Sequence, residues 1–219
     1  MRWFPMCLAL AFFASASGQV RAETLFSNLS PPPNPYDTKN AWIIGQGGVS
    51  GNVNVAFAFT PTITATLSAV EVPLFTSSGT PDFKVEVRSS NNGVPGALLE
   101  MFDVQNPGTP FANNPLSVGE SVLQPLLTAG QQYFVEVAPG AANTSGGWNN
   151  NNINQFGNTY FSYDGGQTWI VNQFGGGPTG AFAVEGVPVS AVPEPASLVL
   201  FGAGGVTVLA YRWRRRRAL

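Results

Sequence analysis

The 219-residue chain has no histidine and a single cysteine, Cys7. Without an imidazole there is no Ser–His or Cys–His nucleophilic couple, and no zinc site built on nitrogen and sulfur ligands. Cys7 lies inside an apolar N-terminal stretch that reads as a removable leader, so the mature chain has no thiol to pair. Its stability must come from burial in a core rather than from disulfides. Charged residues make up only 10% of the chain, and no stretch between the two ends shows convincing helical periodicity. The phosphate-cradling P-loop, the dinucleotide fingerprint and the G-x-S-x-G elbow are all missing. What remains for catalysis is a carboxylate pair acting on glycosides, with Glu71, Glu86, Glu100, Glu120 and Glu136 as candidate acids. Strand alternation assigns Glu86 and Glu136 to solvent-facing positions.

The few charges are segregated. Arg2 and Arg21 lie near the N-terminus, and Arg212, Arg214, Arg215, Arg216 and Arg217 lie near the C-terminus. Between them only Lys39, Lys84 and Arg88 face eleven acidic residues, a net charge of −8. A body this acidic repels phosphate backbones, so nucleic acid is excluded as a partner.

Hydrophobic runs are confined to the ends. Arg2 followed by "FPMCLALAFFASA" (Phe4 to Ala16) has the charge and length of a secretory signal, and Val20 and Ala22 place small residues ahead of a cut before Glu23. Ala14 and Ala16 offer an earlier site. At the other end, "VPEPASLVLFGAGGVTVLAYRWRRRR" joins Pro193-Glu194-Pro195 to an apolar run and an arginine block. The run is short for a helix crossing about 30 Å of hydrocarbon. Trp213 and the arginines suit the cytoplasmic interface. This order of parts resembles the PEP-CTERM sorting signal of exported proteins from Gram-negative bacteria that make extracellular polysaccharide. The resemblance rests on Pro193, Glu194, Pro195, Arg214, Arg215, Arg216 and Arg217. It implies export by way of signal peptidase and exosortase: an inner-membrane precursor, then residence at the cell surface or in the extracellular matrix.

Between these ends the dominant pattern is period two. "VNVAFAF", "DFKVEVR", "QYFVEVA" and "GAFAVEG" alternate apolar with small or polar residues, and "NAWIIG", "TLSAVEVPLF", "SVLQPLL" and "TYFSYDGGQTWIV" add further candidates. "GALLEMF" fits a helical turn and a strand equally well. With 25 glycines and 18 prolines marking turns, about eight to ten short strands predict an all-β fold, a single antiparallel β-sandwich of jelly-roll type. The expected layout is a signal peptide over 1–22, a Pro-rich spacer over 23–40, the sandwich over 41–186, a linker over 187–192 and the sorting signal over 193–217. The body also resembles the choice-of-anchor family of bacterial exported domains, over roughly Trp42 to Val184. That resemblance implies a β-sandwich without established catalytic activity.

Two internal stretches stand out. "SYDGGQTW" matches the Asp-box pattern S-x-D-x-G-x-T-W, known from sialidases and other propellers. Ser162, Asp164, Gly166, Thr168 and Trp169 predict a stabilised hairpin in which Asp164 accepts backbone N–H bonds and Trp169 packs beneath. A single copy carries no implication of sialidase chemistry. "SGGWNNNNINQFGNTYF" reads either as a long polar loop with Trp148 tucked against the sandwich, or as a glycan-binding surface in which Trp148, Tyr160 and Tyr163 stack on sugar rings. No cofactor is expected; Asp82, Asp103 and Asp164 are the carboxylates available for one structural calcium ion. The leading functional expectation is a non-enzymatic structural or adhesive protein associated with exopolysaccharide or biofilm. A carbohydrate-binding module stands second and a carboxylate glycosidase third.

Overall fold

The computed structural model describes residues 21–48 and 51–189. Among the described residues the chain forms fourteen strands and no helix. In chain order these are β1 (Glu23–Ser27), β2 (Ala41–Gly48), β3 (Gly51–Phe59), β4 (Ala65–Val72), β5 (Leu74–Ser78), β6 (Asp82–Asn91) and β7 (Val94–Gln105). They continue with β8 (Ser117–Glu120), β9 (Leu126–Leu127), β10 (Tyr133–Pro139), β11 (Ser145–Asn149), β12 (Phe156–Ser162), β13 (Ile170–Pro178) and β14 (Ala183–Pro188). Every pairing is antiparallel. One sheet runs β1–β14–β4–β8 with β9 also on β4, and the other runs β5–β11–β2–β3–β10–β6–β7 with the β12–β13 hairpin joined to β3.

Alternation explains how the two sheets share one core. Val55, Phe57 and Phe59 of β3, Phe83, Val85 and Val87 of β6, and Val135 and Val137 of β10 all bury the same face. Leu25, Leu67, Val70, Val72 and Val184 meet them from the smaller sheet. On β4 the inward residues Leu67 and Val70 are three apart, because a register shift lies between Leu67 and Ala69. "TLSAVEVPLF" divides at Pro73. Proline has no N–H to give a ladder, so β4 ends there and β5 joins the other sheet.

Several expectations change. The segment expected to be a spacer over 23–40 belongs to the domain. β1 pairs with β14, and Leu25 and Tyr36 are buried. Asn28 is fully buried, donating to Thr179 Oγ1 and the Gly180 carbonyl while its Oδ1 accepts the Phe182 N–H at 2.6 Å. β14 reaches Pro188, past the boundary expected at 186. "GALLEMF" is strand, within β7. Of "SVLQPLL" only Leu126–Leu127 pairs. Ser121, Val122 and Leu123 instead form a loop held by Glu100, whose Oε2 accepts from the Ser121 hydroxyl and from the N–H groups of Val122 and Leu123. All but the last two residues of the expected signal peptide, and the C-terminal membrane run, lie outside the described residues, among which no helix is long and apolar enough to cross a membrane.

Candidate functional site

The β12–β13 hairpin extends the larger sheet beside β3, and its turn folds over the outer face, where a Cβ on Gly166 would lie 3.1 Å from Arg88 and 3.2 Å from Glu136. Tyr160, Phe161 and Ser162 pair with Ala56, Val55 and Asn54 of β3. Phe161 packs toward the main core, whereas Tyr160 meets Phe134 edge-on (4.9 Å, 80°) on the outer face. Ala56, Phe134 and Tyr160 form a second small core, against which Trp169 and Val171 pack.

The turn of this hairpin is the Asp-box. Asp164 Oδ1 accepts the Gln167 and Thr168 N–H groups at 3.0 and 2.9 Å and the Ser162 hydroxyl at 2.8 Å. Its Oδ2 accepts the Thr168 hydroxyl at 2.6 Å, and Ser162 Oγ accepts the Gly166 N–H. Gly165 and Gly166 both take positive φ. Hydrogen bonds to the charged form, led by Thr168, hold the Asp164 carboxyl down at about 2. Asp164→Ala is expected to leave the two sheets folded while amide exchange at Gln167 and Thr168 accelerates severalfold. Unchanged exchange at both amides would show that the turn stands without its carboxylate.

Beneath the hairpin lies a charged cluster. Glu136 of β10 is directly opposite Glu86 of β6, and neither faces solvent as alternation alone predicted: Glu136 is 0% and Glu86 7% exposed. Arg88 joins them. Its Nη2 donates to Glu86 Oε2 at 2.6 Å, its Nε forms an ion pair with Glu136 Oε2, and its Nη1 donates to the Gly96 carbonyl. Asn54 Nδ2 donates to Glu136 Oε1 at 2.7 Å. Burial and the neighbouring Glu86 charge push the Glu136 carboxyl up to about 7, against the opposing pull of Arg88 and Asn54. A groove of about 460 Å³ opens beside the cluster, lined by Asn52, Asn54, Lys84, Glu86, Tyr163 and Asp164 among others.

The three aromatic glycan candidates are not brought together. Trp148 is fully buried in the main core, so it has no free face to stack on a sugar. Its Nε1–H donates to the Ala181 carbonyl at 2.7 Å. Tyr160, in β12 itself, is buried against Ala56 and Phe134. Only Tyr163 stands in solvent, 44% exposed, at the groove.

The polar stretch is not a solvated loop either. Ser145–Asn149 is β11, between β5 and β2, and Asn149, Asn150 and Asn151 are buried. Asn149 Nδ2 donates to the Asp37 carbonyl. Asn151 Nδ2 donates to the Gln155 and Thr179 carbonyls, and its Oδ1 accepts the Ile153 and Gln155 N–H groups. Asn149 thus ties the N-terminal segment to β11, and Asn151 ties its own turn to Thr179.

Apart from Glu71 and Glu185 on the neighbouring strands β4 and β14, the remaining carboxylates have separate partners. Glu100 holds its loop, and Glu71 is raised by burial and by the Glu185 charge. Asp82 accepts from Gln105, Asp103 lies opposite Lys84, and Asp164 closes its own turn. Among the described residues no three acidic side chains gather to hold a metal ion.

Beyond Val189 the chain continues into the segment 191–217, which matches the family model of the PEP-CTERM protein-sorting motif. The chain carries a PEP-CTERM sorting motif. Such a motif marks an exported protein that an exosortase processes at the membrane on its way to the cell surface. Pro193, Glu194, Pro195 and Arg214 to Arg217 all fall within the match and outside the described residues. No curated protein matches the chain.

Proposed function

We propose that this chain is a non-catalytic surface or matrix protein. In this reading signal peptidase removes residues 1–22, exosortase cuts at the PEP-CTERM motif, and the all-β domain remains outside as a structural or adhesive component of the exopolysaccharide layer. The motif at 191–217 is the observation that carries it. Two features of the domain support it. β1 begins at Glu23, the residue after the expected cut. Glu23 also pairs with Gly186, so both signals leave from the same end of one sheet. Until both cuts are made, a precursor held at that pole presents the rest of its surface away from the membrane. Similarity to choice-of-anchor sandwiches belongs to this proposal as well.

Catalysis is disfavoured by access. Glu86 and Glu136, the glutamates directly opposed in register among the described residues, share one arginine, and a general acid with no solvent exposure cannot reach a glycosidic oxygen. Glycan binding is the second reading, and Tyr163 at its groove is what remains of it among the sequence candidates.

Fractionation of the producing cells with intact-mass measurement tests the main reading. The expected product lacks residues 1–22 and everything beyond the Pro193–Pro195 region, and its tail processing disappears when the exosortase is deleted. Recovery of the full chain from the cytosol would overturn it.

A further inference from the structure

A second groove, remote from the Asp-box turn in sequence, lies on the outer face of β5, β11 and β2. Ile43, Gly147 and Phe75 are consecutive cross-strand partners, so they form one row on that face. Gly147 has a specific reason to be glycine: a Cβ there would come within 2.6 Å of the Phe75 ring, which lies across it. The result is a flat aromatic floor beside Ile43, which is 53% exposed. Phe111, from the loop between β7 and β8, adds a second ring and is 78% exposed. The cleft measures about 380 Å³, within the ~300–1,000 Å³ range of small-ligand sites.

Three observations mark this cleft as a binding site rather than an idle surface. Phe111 has φ 59°, and the other non-glycine residues with positive φ are three asparagines and a glutamine. A bulky side chain in the left-handed region is strained. The Asn114 side chain maintains the strain by clamping Thr109 through both its N–H and its carbonyl. The strained ring is also left in water, where it contributes little packing. Next, Asn149 lines the cleft at 2% exposure with its Oδ1 lacking any hydrogen-bond partner. A buried acceptor of this kind seeks a donor. Last, Lys39 is the only charged residue lining the cleft. The nearby Asp37 carboxylate is occupied by the Asn40 amide and the Lys39 N–H.

We infer that this cleft binds a segment of an uncharged polysaccharide. A pyranose ring has an apolar C–H face to lie on Phe75 and Phe111, and an edge of hydroxyls that can both donate and accept. One such hydroxyl would supply the hydrogen Asn149 Oδ1 lacks, and Lys39 would donate to hydroxyl or ring oxygens. An alkyl chain would leave these polar groups unmatched. A polyanion would meet a body carrying a net charge of −8. The inference gives the adhesive reading above its contact and takes its biological setting from that reading.

The test is affinity electrophoresis of the full chain in mild detergent, through gels containing hydroxyethylcellulose, dextran or galactomannan, with alginate as the polyanion. At least one uncharged polymer should retard the protein. Phe111→Gly should weaken that retardation about tenfold while its melting temperature stays level or rises, since glycine relieves the positive φ. Tyr163→Ala should retain binding. No retardation in any uncharged gel, retardation by alginate alone, or loss with Tyr163→Ala instead of Phe111→Gly would each overturn the inference. So would loss of folding in Phe111→Gly, or self-association that this variant abolishes. Residence of the protein does not enter the measurement, so failure here leaves the fractionation result standing, and the reverse also holds.

Discussion

Arg88→Met is expected to destabilise the domain by about 4 kcal/mol at pH 8 and by much less at pH 4. Arg88 is the sole cation between Glu86 and Glu136, which are opposed in register and nearly or fully buried. Removing it leaves two like charges with no compensation in a low-dielectric layer, where protonation is the only relief. The wild type already shows the direction. Glu136 titrates at about 7 rather than at its ordinary 4.5, chiefly because it is desolvated and secondly because Glu86 is beside it. A carboxyl raised on folding binds its proton more tightly in the native state. Its contribution is therefore fully present below pH 4.5 and is lost as pH rises through 7, an amount on the order of 3 kcal/mol. Asp164 and Glu100 act in the opposite sense. Both are held below their ordinary values by hydrogen bonds to the charged form, Asp164 led by Thr168 and Glu100, against the pull of burial, by Ser121 and backbone N–H groups. What they supply is lost as pH falls through their folded values. Glu136→Gln keeps an acceptor for Asn54, balances Arg88 against Glu86 alone, and should flatten the decline between pH 5 and pH 8. Urea titrations at those pH values measure all three chains. A wild-type stability that rises steadily from pH 5 to pH 8 would contradict the burial of Glu136.

How much of this was legible from sequence depends on which face of a strand is asked about. Alternation located the inner residues of β3, β6, β10 and β14, because one buried face imposes period two directly on the residue order. The Asp-box was equally local: every bond of its turn joins residues within four positions of each other. The outer face was not legible. Glu86 and Glu136 look like solvent-facing residues until β12, far along the chain, pairs with β3 and brings the Trp169 side of its hairpin over Phe134. β11 was hidden for a different reason. Its "SGGWN" has the composition of a loop, yet Cβ atoms at Gly146 and Gly147 would run into the Phe75 backbone and ring. The glycines are there because strands and rings approach closely, which only the tertiary structure reveals. The Phe111–Ile43 cleft depends on the same close approach of β11 to its neighbours β5 and β2 and left no motif in the sequence.

Trp148→Ala should lower stability by about 4 kcal/mol, in the range for a large buried aromatic replaced by alanine. The indole is 0% exposed and packs edge-on against Phe57 at 5.0 Å and Phe182 at 5.8 Å. Gly180 has no side chain because a Cβ there would stand 2.6 Å from the indole. A side chain that determines its neighbours' sizes leaves a cavity that close-packed rings cannot collapse to fill. The Ala181 carbonyl also loses the N–H that now reaches it at 2.7 Å. With a slope of roughly 2 kcal/mol per molar urea, the midpoint should fall by about 2 M. Trp148→Phe restores most of the volume but not the donor and should recover more than half of that fall. The same variant separates the two roles open to Trp148. As a core residue, its loss removes sugar retention only in proportion to the protein unfolded; as a stacking platform, its loss removes retention from a domain whose urea midpoint has not moved. The second pattern would refute the packing described here, because no fully buried indole can act on a ligand without first leaving the core.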